Sequence, residues 1–250
     1  MTAKDNSAPG SPGIFCSLVI PCYNEEGNIA RLLRGFAAAP ADFELIIVDN
    51  GSADASAVIL RALAPDFPFL RVVTVPVNKG YGYGVSQGLK AVRGLYAGWA
   101  HGDLQYDPAG ILAAVEKLRS AGGEKIFLKG LRSARPPAET FFTAGMSVFV
   151  SLLFGAAFRD INGQPTLFHR SLLENWAGAP ADYALDLYAY VLAKKSGFAV
   201  LRVPMALRER ASGVSSWNRG FAAPFRIAWR TIKSSLALRR ALGGAAANRP

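Results

Sequence analysis

From residue 14 the chain alternates between two hydrophobic periods, and this alternation limits its possible folds more than any other feature. IFCSLVIP is an unbroken apolar run of strand length. Asn24, Glu25 and Glu26 then open a segment in which Ile29, Leu32, Leu33 and Phe36 recur at helical spacing. FELIIVDN is a second strand, and SADASAVILRALA the helix after it, with Ser52 as its expected N-cap and Asp54 in its first turn. LRVVTVP is a third strand, residues 83–93 a third helix and LYAGWA a fourth strand. Asp107-Pro108 then opens the helix ILAAVEKLRSA. EKIFLKG is a fifth strand and FAVLRVP, at 198–204, a sixth. Strands that read as continuous apolar runs are covered on both faces. Strand and helix in alternation therefore predict the α/β class, an open, mostly parallel sheet flanked by helices.

The 250 residues suffice for one large domain, and 51% hydrophobic against 18% charged residues supplies a substantial core. A formal net charge of +10 suits anionic partners: nucleic acid, anionic lipid or phosphorylated substrates. No DNA- or RNA-reading motif accompanies that charge, so nucleic acid is not expected as a partner. The only cysteines, Cys16 and Cys22, fit no zinc spacing and allow one disulfide at most, in keeping with a reducing cytosol. Residues 1–13, polar and rich in Pro and Gly, read as a disordered tail without the apolar core of a signal peptide.

In open parallel sheets, ligands bind beyond the carboxyl ends of the strands. Those ends carry Pro21-Cys22-Tyr23-Asn24-Glu25, Asp49-Asn50-Gly51-Ser52, Asn78-Lys79-Gly80 and His101-Gly102-Asp103, so polar residues converge on one rim. The glycines of NKGYGYGVSQG follow the third strand rather than the first, which rules out a dinucleotide fingerprint, and no GxxxxGK[ST] phosphate loop occurs. Asp103 and Gln105 alternate along what reads as an extended segment, so both oxygens can face one cation. A carboxylate and an amide carbonyl suit Mg²⁺ or Mn²⁺. The competing reading, helix entry, suits Asp107 better, directly before Pro108.

VIPCYNEEGNI, IIVDNGSAD, NKGYGYG and HGDLQYDP, in this order and at these spacings, resemble family-2 glycosyltransferases of the GT-A (Rossmann-like) fold, over about residues 14–217. Within the family, HGDLQ resembles the DADLQ motif of dolichyl-phosphate mannose synthases and their bacterial polyprenyl-phosphate relatives. Gly130-Leu131-Arg132, DINGQPTLFHR and VPMALRERASGVSSW resemble further motifs of that group. The resemblance implies that Pro21, Tyr23, Glu25, Val48, Asn50, Gly80, His101 and Gly102 bind a nucleotide-sugar donor together with Asp103 and Gln105. It implies that Asp103 and Gln105 are the ligands of Mg²⁺ or Mn²⁺, and that Arg132 and Arg210 act with Asp103 in catalysis by binding phosphate. Three positions depart from the family: His101 and Asn50 replace acids, and Ser216 replaces a lysine for which Arg208, Lys129 or Arg170 are the available substitutes. With His101, contact to ribose or a cap on the strand is expected rather than direct ligation. PADYALDLYAY lacks the adjacent Glu-Asp pair of hydroxyl-glycosylating relatives. Asp182 and Asp186 then read as a helix cap and a helix flank, and the acceptor as a phosphate that needs no base.

The uncharged stretch 141–158 is borderline for a span, which needs about 20 apolar residues. It reads instead as an interfacial or packed helix. FRIAWRTIKSSLALRRAL, in a basic C-terminal segment 218–250, has the amphipathic pattern of a helix on an anionic bilayer, with packing on the catalytic domain as the other reading. The expected enzyme is an inverting hexosyltransferase that uses GDP- or UDP-hexose and a polyprenyl (dolichyl or undecaprenyl) phosphate. It would be cytoplasmic and peripheral at the inner face of the membrane. The alternatives are a saccharide or other hydroxyl acceptor, or a catalytically weak nucleotide-sugar-binding module.

Overall fold

The computed structural model describes residues 13–133, 137–208, 229 and 231–241. Seven strands form one sheet: β1 Cys16–Cys22, β2 Phe43–Asn50, β3 Leu70–Val75, β4 Tyr96–Trp99, β5 Ile126–Ser133, β6 Thr166–His169 and β7 Ala199–Ala206, in the order β3-β2-β1-β4-β6-β5-β7. β6 runs antiparallel to both of its neighbours, β4 and β5; the other pairs are parallel. The expected α/β sheet is thus present with one strand more than the periodicity revealed. The helices are α1 Glu26–Gly35, α2 Ser56–Leu63, α3 Tyr81–Leu89, α4 Pro108–Ala121, α5 Pro137–Phe154 and α6 Ala184–Lys195.

Alternating side chains of the strands fill two separate cores. Leu18, Ile20, Leu45 and Ile47 meet Ile29, Leu33, Leu60, Ile111 and Val115 of α1, α2 and α4 on one face. Val19, Ile46 and Val48 meet Val85 and Leu89 of α3 on the other, where the second core also takes in α6. α6 is buried along Leu185–Ala193, as expected of a helix apolar on every side. Gly88 explains how α3 lies so near the sheet: a β-carbon there would run into Val19 and Val48.

At the amino ends of the strands, away from the predicted site, Glu44 is buried and accepts hydrogen bonds from Ser17 Oγ (2.6 Å), Arg71 (2.8 Å) and Arg93 Nε (2.8 Å). Burial alone would raise the carboxyl pKa, but these three donors outweigh it and hold Glu44 below its ordinary value. Cys16 and Cys22 are buried thiols, and burial pushes Cys16 up to about 12.

No helix among the described residues is long and apolar enough to cross a membrane. α5 buries Val150 and Ser147 but exposes Phe141, Val148 and Leu152, which share one side of the helix. The helix over 231–241 buries Ser235 and places Leu238 in the second core, while Lys233, Leu236, Arg239 and Arg240 face outward. Within the described part of the C-terminal segment, one side packs on the domain and the other is basic and exposed.

Candidate active site

The loops after β1 and β2 are bonded to each other across the rim. Asn24 N–H donates to Ser52 Oγ (3.1 Å), Glu25 N–H to Ser56 Oγ (2.9 Å) and Glu26 N–H to Asp54 Oδ2 (3.1 Å). In return Ala53 N–H donates to Asn24 Oδ1 and Ala55 N–H to Glu26 Oε2, both at 2.9 Å. The exposed amides that begin α1 are thus satisfied by the neighbouring loop. Ser52 does not cap its own helix, as the sequence pattern suggested. α2 starts later, at Ser56, and Asn24, at φ 55°, brings the first loop within reach of Ser52. Tyr23 is exposed and Pro21 and Glu25 are half-buried, so this loop presents them at the rim. Val48 is different. It is fully buried beneath α3, a core position whose side chain cannot reach a ligand.

Asn50 ends β2 on the α3 side and ties down the next loop: its Nδ2 donates to Gly80 O (3.1 Å) and Asn78 Oδ1 (3.4 Å). A carboxylate there would face those two oxygens without a proton to offer, which accounts for an amide at this position. Its own Oδ1 is buried with no bonding partner among the described residues. The glycine run that follows serves chain packing. Tyr83 N–H, in the first turn of α3, donates to Ala181 O (3.0 Å), and a β-carbon on Gly82 would lie 2.5 Å from Pro180 O and 2.6 Å from Asp182 O. Gly80, at φ 106°, meets Ala181 O in the same way. Segment 180–182 thus occupies the space beside these glycines. It also brings Tyr183 onto Tyr81 (ring centroids 5.1 Å apart, planes at 10°), and Tyr81 stacks in turn on His101 (5.1 Å, 27°). Sequence reasoning missed both tyrosines; their positions beside Gly80 and Asp182 were the only signal.

The metal-motif loop is a turn, not the extended segment expected. Leu104 has φ 57°, and Gln105 N–H donates to Asp103 Oδ1 (3.2 Å). The sequence offers no Gly or Asn at 104 to announce that geometry. Asp103 is nevertheless drawn in, 9% exposed, over buried Gly102, where a β-carbon would touch Ile20. Gln105 is oriented from outside the loop: its Nε2 donates to Arg208 O (3.5 Å), and Arg208 N–H donates to Gln105 O (2.9 Å). Asp107 caps α4 through Ala109 N–H and pairs with Arg208 (2.8 Å). Among the described residues no group of three or more His, Cys, Asp or Glu could hold a metal ion. One buried carboxylate and one anchored amide do fit a hard cation that draws its remaining ligands from a diphosphate and water.

At the end of β5, Arg132 is held by Asp160, which accepts from its N–H, Nε and Nη2. A carboxylate in the DINGQP loop thus orients the arginine expected to bind phosphate. Lys129 is wholly buried. Its Nζ donates to Thr166 Oγ1 (2.7 Å) and Asp186 Oδ1 (3.2 Å), and the same Oδ1 accepts from Gln164 Nε2 (2.9 Å). Burial pushes the Lys129 ammonium pKa down, opposed by Asp186. Burial, followed by the Asp186 charge, holds the Tyr81 hydroxyl pKa well above its usual value. Asp182 accepts from Ala184 N–H (3.0 Å) at the start of α6, and Asp186 is interior. Arg170 lies at the amino end of β4, where His169 pairs with Tyr96, far from the rim. Of the three possible substitutes for the family lysine that Ser216 replaces, only Arg208 stands at the site. Arg210 and Ser216 lie outside the described residues.

Residues 17–126 match the family model described as Glycosyl transferase family 2. An undecaprenyl-phosphate 4-deoxy-4-formamido-L-arabinose transferase of Edwardsiella ictaluri is 38% identical over 108 residues, 41% of this chain and 33% of that protein. The dodecaprenyl-phosphate galacturonate synthase of Rhizobium johnstonii is 37% identical over 41% of this chain and 32% of its own. A Pseudomonas aeruginosa transferase of the first type is 29% identical over 81% of this chain and 60% of its length. The matches thus span from about a third to under two thirds of these curated relatives. Among solved structures, the glucosyl-3-phosphoglycerate synthase of Mycobacterium tuberculosis with Mn²⁺, uridine diphosphate and glucosyl-3-phosphoglycerate superposes with a TM-score of 0.69 at 22% identity, over 93% of this chain and 85% of that one. The same enzyme with Mg²⁺ and uridine diphosphate gives 0.68 at 22% identity, over 90% and 79%.

Proposed function

Because residues 17–126 match the Glycosyl transferase family 2 model, we propose that this chain is a family-2 glycosyltransferase of the GT-A fold, an inverting, metal-dependent hexosyltransferase. It moves a sugar from UDP- or GDP-hexose to a polyprenyl phosphate. The observation that carries this reading is the buried Asp103 and anchored Gln105 at the carboxyl end of β4, where the polar loops of β1, β2 and β3 also converge. The lipid acceptor is supported by the relatives named for undecaprenyl and dodecaprenyl phosphate.

The chemistry asks little proton transfer of the protein. A phosphate monoester is ionised at neutral pH. Its oxygen attacks the anomeric carbon from the face opposite the leaving diphosphate, and the configuration inverts. Asp186, locked against Lys129, and Asp182, bonded to Ala184, agree with a site that uses no general base. Pro21, Tyr23, Glu25 and Asn50 frame the nucleoside, with Asn50 Oδ1 an acceptor for a base N–H, and His101 and Gly102 line the metal loop. Asp103 and Gln105 would hold Mg²⁺ or Mn²⁺, which supplies charge stabilisation to the departing diphosphate. Arg210 adds a guanidinium to the same phosphates.

The enzyme works at the inner, cytoplasmic surface of a membrane. There the exposed Phe141, Val148 and Leu152 of α5 enter the interface, and Lys233, Arg239 and Arg240 face anionic lipid. The test is transfer from radiolabelled nucleotide-sugars to polyprenyl phosphate, polyprenol or a soluble sugar, with and without Mn²⁺. Transfer only to the phosphate, abolished by Asp103→Ala, is expected. Transfer to polyprenol or sugar alone refutes the lipid-phosphate acceptor, and metal-independent transfer refutes the role of Asp103.

A further inference from the structure

Arg208 reaches the metal loop by an unusual path. β6 and β5 stand between β4 and β7 in the sheet. The chain leaving β7 nevertheless crosses back over the strand ends, packs Leu207 against the first core, and bonds to Gln105 through both backbone groups of Arg208. With its backbone at 2.9 and 3.5 Å from Gln105, Arg208 is anchored to the same turn that carries Asp103. Its side chain is 60% exposed and rests on Asp107 at 2.8 Å. The neighbouring cations are differently placed: Arg132 is held by Asp160, Lys129 is interior with Asp186, and Lys79 lies at the end of β3 over the Tyr83 ring.

We propose that Arg208 is a diphosphate-binding residue, whose guanidinium exchanges Asp107 for the phosphate oxygens of the nucleotide-sugar; this rests on the donor reading above. An exposed ion pair holds its partner weakly, by about fivefold at most. A guanidinium on phosphate forms paired, charge-assisted bonds and gains more. Asp107 has a second duty, the cap on Ala109 N–H, which asparagine performs as well as aspartate. If the Arg208–Asp107 pair merely braced the loop, removing either side chain would act in one direction. If Arg208 binds diphosphate, Asp107 is its competitor, and the two removals act in opposite directions.

Calorimetry on the full chain with UDP, GDP, UMP and GMP, each with excess Mn²⁺, separates the cases. The backbone bonds to Gln105 do not need the side chain, so Arg208→Ala should melt within a degree or two of the wild type. It should bind the diphosphates about 10-fold more weakly, or about 1.4 kcal/mol, with the monophosphates changed less than about twofold. Asp107→Asn should bind the diphosphates about two- to fourfold more tightly, and both effects should shrink as salt rises. Changes of the same sign, unchanged diphosphate affinity in Arg208→Ala, or equal losses for mono- and diphosphates overturn the proposal while leaving donor binding intact. A wild-type chain that binds neither UDP nor GDP overturns the donor reading and this proposal together.

Discussion

The buried pair of Lys129 and Asp186 makes a demanding prediction. Lys129 has no exposure, and its Nζ has the two acceptors Thr166 Oγ1 and Asp186 Oδ1. Asp186→Asn keeps the side-chain shape and an acceptor for Gln164, but strips the ammonium of its counter-charge. Breaking a buried pair from one side costs about 3–5 kcal/mol, and Lys129→Met, which leaves Asp186 as the unpaired charge, should cost a similar amount. The Asn variant carries a pH signature. Without Asp186 the folded-state pKa of Lys129 falls further below its unfolded value than burial already places it. Between the two values the unfolded chain binds the extra proton, so stability rises with pH. The deficit of Asp186→Asn should therefore narrow from pH 7 towards pH 10. The double variant Lys129→Met/Asp186→Leu removes both charges and should recover most of the loss, because well-packed apolar replacements of buried pairs are often neutral or better. Urea unfolding followed by circular dichroism gives the double-mutant cycle. Single-variant losses below about 1 kcal/mol, or a double variant as unstable as the sum of the singles, would refute the claim that the two charges depend on each other.

Gly82→Ala should destabilise by about 2–3 kcal/mol, since its β-carbon would press on three backbone atoms of 180–182, whereas Gly145→Ala on α5 meets nothing within 4 Å and should gain up to about 1 kcal/mol; thermal melts compare them. Glu44 is held below the ordinary carboxylate value, so its contribution is complete above about pH 4.3 and is lost as pH falls through its lower folded-state pKa. Glu44→Gln should accordingly flatten the melting temperature between about pH 5 and pH 2.5. Phe141→Glu combined with Leu152→Glu should weaken co-sedimentation with anionic vesicles and leave nucleotide binding in calorimetry unchanged, because both side chains face away from the second core.

What the sequence disclosed, and what it hid, divides by the range of the interactions involved. β1, β2 and β7 were legible because an apolar run bounded by turn residues needs no knowledge of its neighbours. The Asp107 cap was legible for the same reason, as its acceptor and donor lie two residues apart. β6 was not: four residues, TLFH, are too few to show a period, and only pairing with β4 and β5 makes them a strand. Ser52 was assigned to its own helix because local rules favour the nearer amide, yet its acceptor oxygen serves Asn24, 28 positions earlier.

The candidate site divides in the same way, and the division bears on its chemistry. The motifs identified which loops meet at the rim, but not which charges remain turned towards it. Arg132 and Lys129 both sit on β5, and both looked suited to phosphate by residue type. Asp160 and Asp186, 28 and 57 positions further on, take them up. A cation that gave up a buried carboxylate for a phosphate would leave an acid uncompensated in the interior, at a cost of several kcal/mol. Arg208 carries no such penalty, because Asp107 is solvated and retains its helix cap once the guanidinium leaves. On the donor reading proposed above, which cation at this rim turns most readily to a diphosphate follows the depth of its partner, which only the folded chain determines.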